Sequence, residues 1–376
     1  MKRMERLALN VVANLPHKPN TRSEAQRGLA MKHVAIDLGR PNSVLCELGP
    51  DGRKKLQRFR LDRGSLDRLF FRGRDRSRVL IESSTESEWV AQHLEGLGHE
   101  VVVADPNFAA MYGQRNRRVK TDGRDADALF EANRMGVYHR AHRRSASQRR
   151  VMALQGVRGS LVRTRTRWIN VERALLRREG VRVRSGSAES FAGRVEELGL
   201  SADLKELLQP LLDLMAPLNE TIEQLDRKMA LLGKQDPRVV LLQTAPMIGL
   251  QTATAFVALI DDVHRFPNAH ELESYLGLVA SEWSSSEKVI KQGITKRGDS
   301  SVRWLLVEAS WAILTKPRPD TLELRHWAER IAARRKRKVA VVALARRLAG
   351  ILYAMLRDNK PFDPTRLGTN NRRKVA

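Results

Sequence analysis

Residues 32–48 read KHVAIDLGRPNSVLCEL, and the fold is legible outward from them. The first seven residues are apolar and β-branched apart from Lys32, His33 and Asp37, and Gly39, Pro41 and Asn42 then break the run, so one strand ends and a turn follows. SVLCEL is a second strand. KKLQRFRL (54–61) is a third, set off by the turn signal Gly49-Pro50-Asp51-Gly52. Beyond it, Leu61 to Phe71 predicts a short helix and SRVLIES (77–83) a fourth strand. Glu86 to Leu97 predicts an amphipathic helix stopped by Gly98, and HEVVVADP (99–106) a fifth strand stopped by Pro106. Three adjacent strands form an antiparallel meander, and the later crossovers add parallel strands. The expected product is a mixed-sheet α/β domain over residues 31–145, after a basic tail over 1–30.

After about residue 145 the β pattern stops and the rest is expected to be helical. Leu154, Val157, Leu161, Thr164, Trp168, Val171 and Leu175 recur at threes and fours, as do Leu211, Leu214, Leu218, Ile222, Leu225, Met229 and Leu232. Two such stripes predict an antiparallel coiled-coil arm over 146–236, with two helices of a compact bundle as the alternative. A C-terminal helical domain follows over 237–376. In it, TAPMIGLQTATAFVALI (244–260) sets a Pro and a Gly between apolar helical runs, a helix–hairpin–helix pattern that can offer backbone N–H groups to phosphate.

The charge is one-sided. Lys plus Arg number 68 against 43 Asp plus Glu, for a net charge of +25, in a chain that is 42% hydrophobic and 30% charged. Such a balance excludes wholesale disorder and selects polyanions as partners. Arg140 to Arg184 contains fourteen Arg, no Lys and two acids, Glu172 and Glu179, where a merely solvated helix would interleave signs. Arg158, Arg163, Arg165 and Arg167 are therefore expected to bind nucleic acid. With aromatics at only 5%, that binding should rest on phosphates more than on stacking. A single cysteine, Cys46, excludes a disulfide framework and suits a reducing cytoplasm. The apolar stretch LALNVVANL (7–15) is short and broken by asparagines, and no run is expected to reach the ~18 residues of a membrane span.

Four acids stand where chemistry can use them. Asp37 ends the first strand and Glu82 the fourth. Asp122 and Asp125, in KTDGRDADALFEA (120–132), share one face of an opening helix. Carboxylates gathered at one sheet edge repel unless a cation joins them, and hard oxygen ligands suit Mg²⁺ or Mn²⁺. Taken singly, each acid reads equally well as a turn or helix-cap residue. Asp127 lies across the helix from Asp125 and is excluded, while Asp105 is a rival that reads better as a turn residue.

The order of strands and acids resembles the RNase H-like fold in its RuvC-type form. From about Lys32 to about Leu356 the chain resembles the DEDD transposases of bacterial insertion sequences, insertion-sequence family one-ten. The resemblance is carried by VAIDLG, IESSTESEWVAQHLEGLGHEVVVADP and VKTDGRDADAL, then by TAPMIGLQTATAF, the block from Phe266 to Trp311, and RKVAVVALARRL. It implies that Asp37, Glu82, Asp122 and Asp125 bind the metal, and that a serine attacks phosphorus to form a covalent protein–DNA intermediate. The family serine falls on Ser285, with Ser284 as rival because Ser286 replaces the family glycine. Met247 likewise stands where the family commonly has glycine. The resemblance also implies donor and target DNA, a structured guide RNA, and a dimer or tetramer, with no membrane partner and a bacterial cytoplasmic, nucleoid-associated location. Read from the residues alone, SEWSSSEKVIKQGITKRGDS (281–300) is a polar loop whose Lys288, Lys291, Lys296 and Arg297 suit phosphates. Two other functions fit the charge: a structure-selective nuclease using the four acids and water, and a non-catalytic nucleic-acid-binding protein. An actin-like ATPase would need a second glycine-rich phosphate motif, which the sequence lacks.

Overall fold

A computed structural model describes residues 31–71, 75–112, 121–285 and 288–367, with 282–292 described by backbone alone. The basic tail expected over 1–30, and Ser286, lie outside the described residues. The chain divides into two compact units, Met1–Arg143 and Arg144–Ala376.

The first unit holds five strands, β1 (Lys32–Asp37), β2 (Asn42–Leu48), β3 (Lys54–Arg60), β4 (Ser77–Glu82) and β5 (Glu100–Ala104), in the order β3-β2-β1-β4-β5. β1–β2 and β2–β3 are antiparallel, and β1–β4 and β4–β5 are parallel. This is the mixed sheet expected from the sequence. Helices α1 (Arg63–Leu69), α2 (Ser87–Gly96) and α3 (Asp122–Met135) cover it. Alternation splits the central strands into two cores. Val34, Ile36, Val79 and Ile81 pack with Leu66 and Phe70 beside α1 and with Val90 and Leu94 of α2, while Ala35, Cys46, Leu80 and Val102 pack with Ala126, Leu129 and Phe130 of α3. Burial on both faces is why these strands read as continuous apolar runs. Burial also pushes the Cys46 thiol up to about 12, an inert core position.

In the second unit, α4 (Ala146–Arg178) and α6 (Ala202–Gln235) run side by side, with the short α5 (Phe191–Glu196) between them in sequence. Arg158 reaches Asp226 and Arg165 reaches Asn219. Seven residues forward on one helix match seven back on the other, so the pair is antiparallel. The expected seam on α4 is displaced by one residue. Val151, Arg165, Ile169, Glu172 and Leu176 are buried, and Gln155, Arg158 and Val162 are half-buried on the same line, whereas Val157 and Val171 are exposed. On α6 the expected line holds at Leu218, Ile222 and Met229, but farther toward the N-terminus Leu212 and Met215 are buried and Leu214 is exposed. Charge pairing overrides apolarity here: Arg158 and Arg165 bring their aliphatic stems inward because Asp226, Asn219 and Glu189 receive their guanidiniums.

The remainder comprises α7 (Pro237–Leu242), α8 (Leu250–Ile260), α9 (Ala269–Tyr275), α10 (Ser300–Thr315), α11 (Leu322–Arg334) and α12 (Arg337–Asp358). It is not wholly helical as expected, because β6 (Ala280–Ser285) and β7 (Lys288–Ile294) form an antiparallel hairpin. By length and composition α12 would cross a membrane, contrary to the expectation that no run would. Ala340, Val341, Leu344, Ala345, Leu348 and Leu352 on that helix are buried in this unit's core with Phe256 of α8 and Leu306 of α10, the pattern of a core helix in a folded domain.

Candidate active site: a carboxylate edge and a serine hairpin

Register decides where the first two acids go. Ile36 lies level with Ile81 on the parallel strands β1 and β4, so the next residues, Asp37 and Glu82, leave the sheet side by side, about 4.8 Å apart at the backbone. Alternation puts both on the face of Ala35 and Leu80, which α3 covers. Gly39 then turns the chain so closely that a Cβ there would stand 2.3 Å from the Asn42 carbonyl oxygen.

One buried asparagine positions α3. Asn133 donates through Nδ2 to the Val34 carbonyl at 2.8 Å and the Arg78 carbonyl at 2.9 Å, near the starts of β1 and β4. From Asn133 back to Asp125 the helix spans about 12 Å, and from Val34 to Asp37 the strand rises about 10 Å. Asp125, 8% exposed, therefore arrives at the edge that carries Asp37 and Glu82. Tyr112 reports the convergence: its hydroxyl donates to Glu82 Oε2 at 2.5 Å. Burial, that hydrogen bond, and the negative charges of Glu82, Asp125 and Asp37 hold its proton far more tightly than usual. The phenol sits in the combined field of three carboxylates. No pattern in FAAMYG marked Tyr112, which is thirty residues from Glu82 and reaches it only through the fold.

Asp122 behaves differently. It opens α3 behind the Thr121 cap and accepts from Arg58 Nη2 at 2.9 Å, with both side chains exposed. The two line an open cavity of about 520 Å³ with Val44 and Leu56. Asp127 pairs with Lys54 at 2.5 Å, and Asp105 Oδ1 accepts from the backbone N–H and side chain of Asn107 in a turn. Among the described residues, no three His, Cys, Asp or Glu groups stand close enough to hold a metal ion. The donors at the edge are all hard carboxylate oxygens, the chemistry that Mg²⁺ or Mn²⁺ takes.

In the second unit the sequence-predicted serine lies at a hairpin tip, where Ser285 pairs with Lys288 and Ser284 with Val289. The hairpin's base is stapled by two glycines. A Cβ on Gly277 (φ 68°) would lie 2.2 Å from the Arg297 carbonyl, and one on Gly298 (φ 71°) would lie 2.1 Å from the Tyr275 carbonyl. Arg303, which the sequence did not single out, donates to the carbonyls of Leu276 and Arg297, both at 2.9 Å. The segments Leu276-Gly277-Leu278 and Lys296-Arg297-Gly298 thus cross at contact distance. Lys296 and Arg297 stand exposed beside them.

The turn between α7 and α8 holds Met247 at φ 60°, the left-handed conformation that favours glycine. Of the four arm arginines, Arg163 and Arg167 are exposed. Arg158 and Arg165 are not: they face α6, where Asp226, Asn219 and Glu189 hold them as seam residues.

Comparison with known proteins adds two family matches. Residues 34–179 match a DEDD family described as "Transposase", and residues 239–324 match "Transposase IS116/IS110/IS902 family". The chain is 31% identical over 303 residues to a probable family 20 transposase of Pseudomonas aeruginosa, covering 79% of this chain and 89% of that protein. It is 29% identical over 272 residues to the transposase for insertion sequence element IS1111A of Coxiella burnetii, covering 71% and 74%. Over 151 residues it is 30% identical to the pilin gene-inverting protein of Moraxella lacunata, covering 39% and 46%.

Proposed function

This chain belongs to the IS116/IS110/IS902 family of DEDD transposases, and from that premise we propose that it cuts and rejoins DNA through a serine–DNA intermediate at sites chosen by a structured RNA. The match of both halves to transposase families carries this reading. Asp37, Glu82 and Asp125, drawn together by the cation, would hold a divalent ion, Mg²⁺ or Mn²⁺, while Asp122 keeps its ion pair with Arg58 at the margin of the site. The ion, when bound, supplies Lewis-acid polarisation of the scissile phosphate. The Glu82 carboxylate is oriented for this by the Tyr112 hydroxyl.

Ser285 supplies the nucleophile. Its Oγ forms a bond to phosphorus as the scissile P–O bond breaks, and the proton lost by the serine is balanced by the one gained on the leaving oxygen. The resulting phosphodiester between serine and DNA conserves the energy of the broken bond. A hydroxyl from another strand then attacks the same phosphorus and restores the serine. Exposed Arg163, Arg167, Lys296 and Arg297, with Lys288 at the hairpin turn, would meet phosphates of donor DNA, target DNA or a guide RNA. Delegating sequence to base pairing suits a chain with many arginines and few aromatics. We read the α4–α6 pair as a coiled-coil arm, the α7–α8 turn as a helix–hairpin–helix, and the working form as a dimer or tetramer, since two DNAs present four strands. The setting is the bacterial cytoplasm beside the nucleoid.

The test is to incubate the purified protein with DNA and Mg²⁺, denature it, and map any DNA-linked peptide. An adduct on Ser285 supports the proposal and one on Ser284 moves the nucleophile by one residue. Free nicked DNA with no adduct overturns it in favour of a water-using nuclease.

A further inference from the structure

α10 carries two tryptophans on the side turned away from its core. Val302, Leu306, Ala309 and Ile313 are buried on one face of this helix. Trp304 and Trp311, seven residues apart, lie within about 20° of each other on the opposite face. Trp304 is 56% exposed and Trp311 is half-buried. Folded chains keep tryptophan largely covered, and this chain has only six. The Trp304 ring has neither a ring contact nor a hydrogen bond among the described residues. Cations stand at both ends of the face. At one end Arg337, which opens α12, holds its guanidinium 5.5 Å from the centre of the Trp311 ring. It belongs to the run Arg334-Arg335-Lys336-Arg337-Lys338, exposed throughout. At the other end Arg303 donates to the Arg297 carbonyl, which sets the exposed Lys296–Arg297 segment beside the first turn of α10. Between the rings lies one acid, Glu308, exposed and without an ion pair among the described residues.

We propose that this face is a stacking platform for the unpaired bases of a single-stranded nucleic acid. The Trp304 indole takes the flat face of one base, and Arg337 and Arg297 meet phosphates on either side. Three features select this occupant. Rings flanked by cations along one line suit a strand, whose phosphates need the charge and whose bases need flat apolar surfaces. The two rings are about 10 Å apart along the helix, against ~3.4 Å per stacked nucleotide, so each serves a different nucleotide of the same strand. Glu308 discriminates against a protein partner. Under an apolar protein surface it would be stripped of water and left unpaired. An amino group on a base edge, such as cytosine N4, donates to a carboxylate instead. A duplex keeps its bases stacked on one another and offers no free ring face, so the strand is unpaired where it is held.

The proposal rests on the reading of this chain as a nucleic-acid binder and adds base contact to phosphate contact. Its readout needs neither the serine nor a metal ion, so it and the cleavage reading can fail separately. Full-length protein in EDTA is titrated with short fluorescent single strands of DNA and of RNA, and with the DNA duplex of the same sequence, over a series of salt concentrations. Trp304→Ala is expected to weaken binding of a single strand about tenfold. Duplex affinity and the slope of log K against log salt should stay unchanged, because stacking releases no counterion. Trp304→Phe, which keeps a ring, should recover most of the loss. Arg337→Gln should instead flatten the slope on single strands by about 0.7, the loss of one phosphate contact. Should the alanine variant misfold, wild-type protein gives the answer: single strands carrying 5-iodouracil, irradiated in the complex, should cross-link to the peptide that holds Trp304. A Trp304→Ala protein that loses single strand and duplex equally, or loses neither, overturns the proposal, as do cross-links that avoid both tryptophans. A change in sedimentation with strand affinity intact also overturns it and gives the face to a second copy of the chain.

Discussion

At Glu172 a carboxylate is fully buried in the seam between α4 and α6, and neither oxygen has a hydrogen-bond partner among the described residues. Burial pushes its pKa up to about 7. Since the folded value is raised above the ordinary 4.5, the native state holds this proton more tightly than the unfolded chain. The associated stability is full below pH 4.5 and is lost as pH rises through about 7. Glu172→Gln, which keeps the shape without the charge, should stabilise the protein at pH 8 by on the order of 2–3 kcal/mol and by almost nothing near pH 4.5, read by thermal unfolding at both values. Equal gains at the two values would mean that the carboxylate does not titrate in the fold. The four acids proposed for the site should separate by their surroundings. Asp37→Ala, Glu82→Ala and Asp125→Ala are each expected to lower strand cleavage by at least about 100-fold while leaving DNA affinity nearly unchanged. Asp122→Ala, whose side chain is turned to Arg58, should cost roughly tenfold less than these. Equal losses at all four would show that Asp122 swings into the site during the reaction.

Among elements, the strands were readable and the arm's register was not. A strand buried on both faces advertises itself as an apolar run, and its end follows from Gly39 and Pro41. A heptad row on a helix announces only that one face is apolar; it does not say which row meets the partner, because charge pairs can claim the seam. Arg158 and Arg165, expected at phosphates from the charge run, instead meet Asp226, Asn219 and Glu189. The consequence is measurable. Arg163→Gln with Arg167→Gln should weaken RNA binding and flatten the log K against log salt slope by roughly one unit per lost contact. Arg158→Gln and Arg165→Gln should instead lower thermal stability, since each leaves a seam acid or amide without its partner. A flattened slope from the seam pair with stability intact would return those arginines to the nucleic-acid face.

For the whole molecule, the net charge of +25 predicts an affinity for polyanions that falls steeply with salt, and the guide-RNA reading adds a requirement. Nuclease-treated protein should lose joining of its specific sites and regain it when RNA from the element's own flank is restored. Joining by RNA-free protein at undiminished rate would mean that the protein reads DNA itself. The sequence alone determined which segments are strands, the acids at their ends, the family and the basic character, because local turn chemistry, two-sided burial and motif strings are written in contiguous residues. Tertiary structure alone decided that Tyr112 meets Glu82, that Asn133 hangs α3 so Asp125 reaches the edge, that Asp122 turns to Arg58, and that Gly277 and Gly298 cross under a hairpin. Each of those joins residues far apart in the chain, through contacts whose partners are chosen by packing and charge and leave no periodic trace in the sequence.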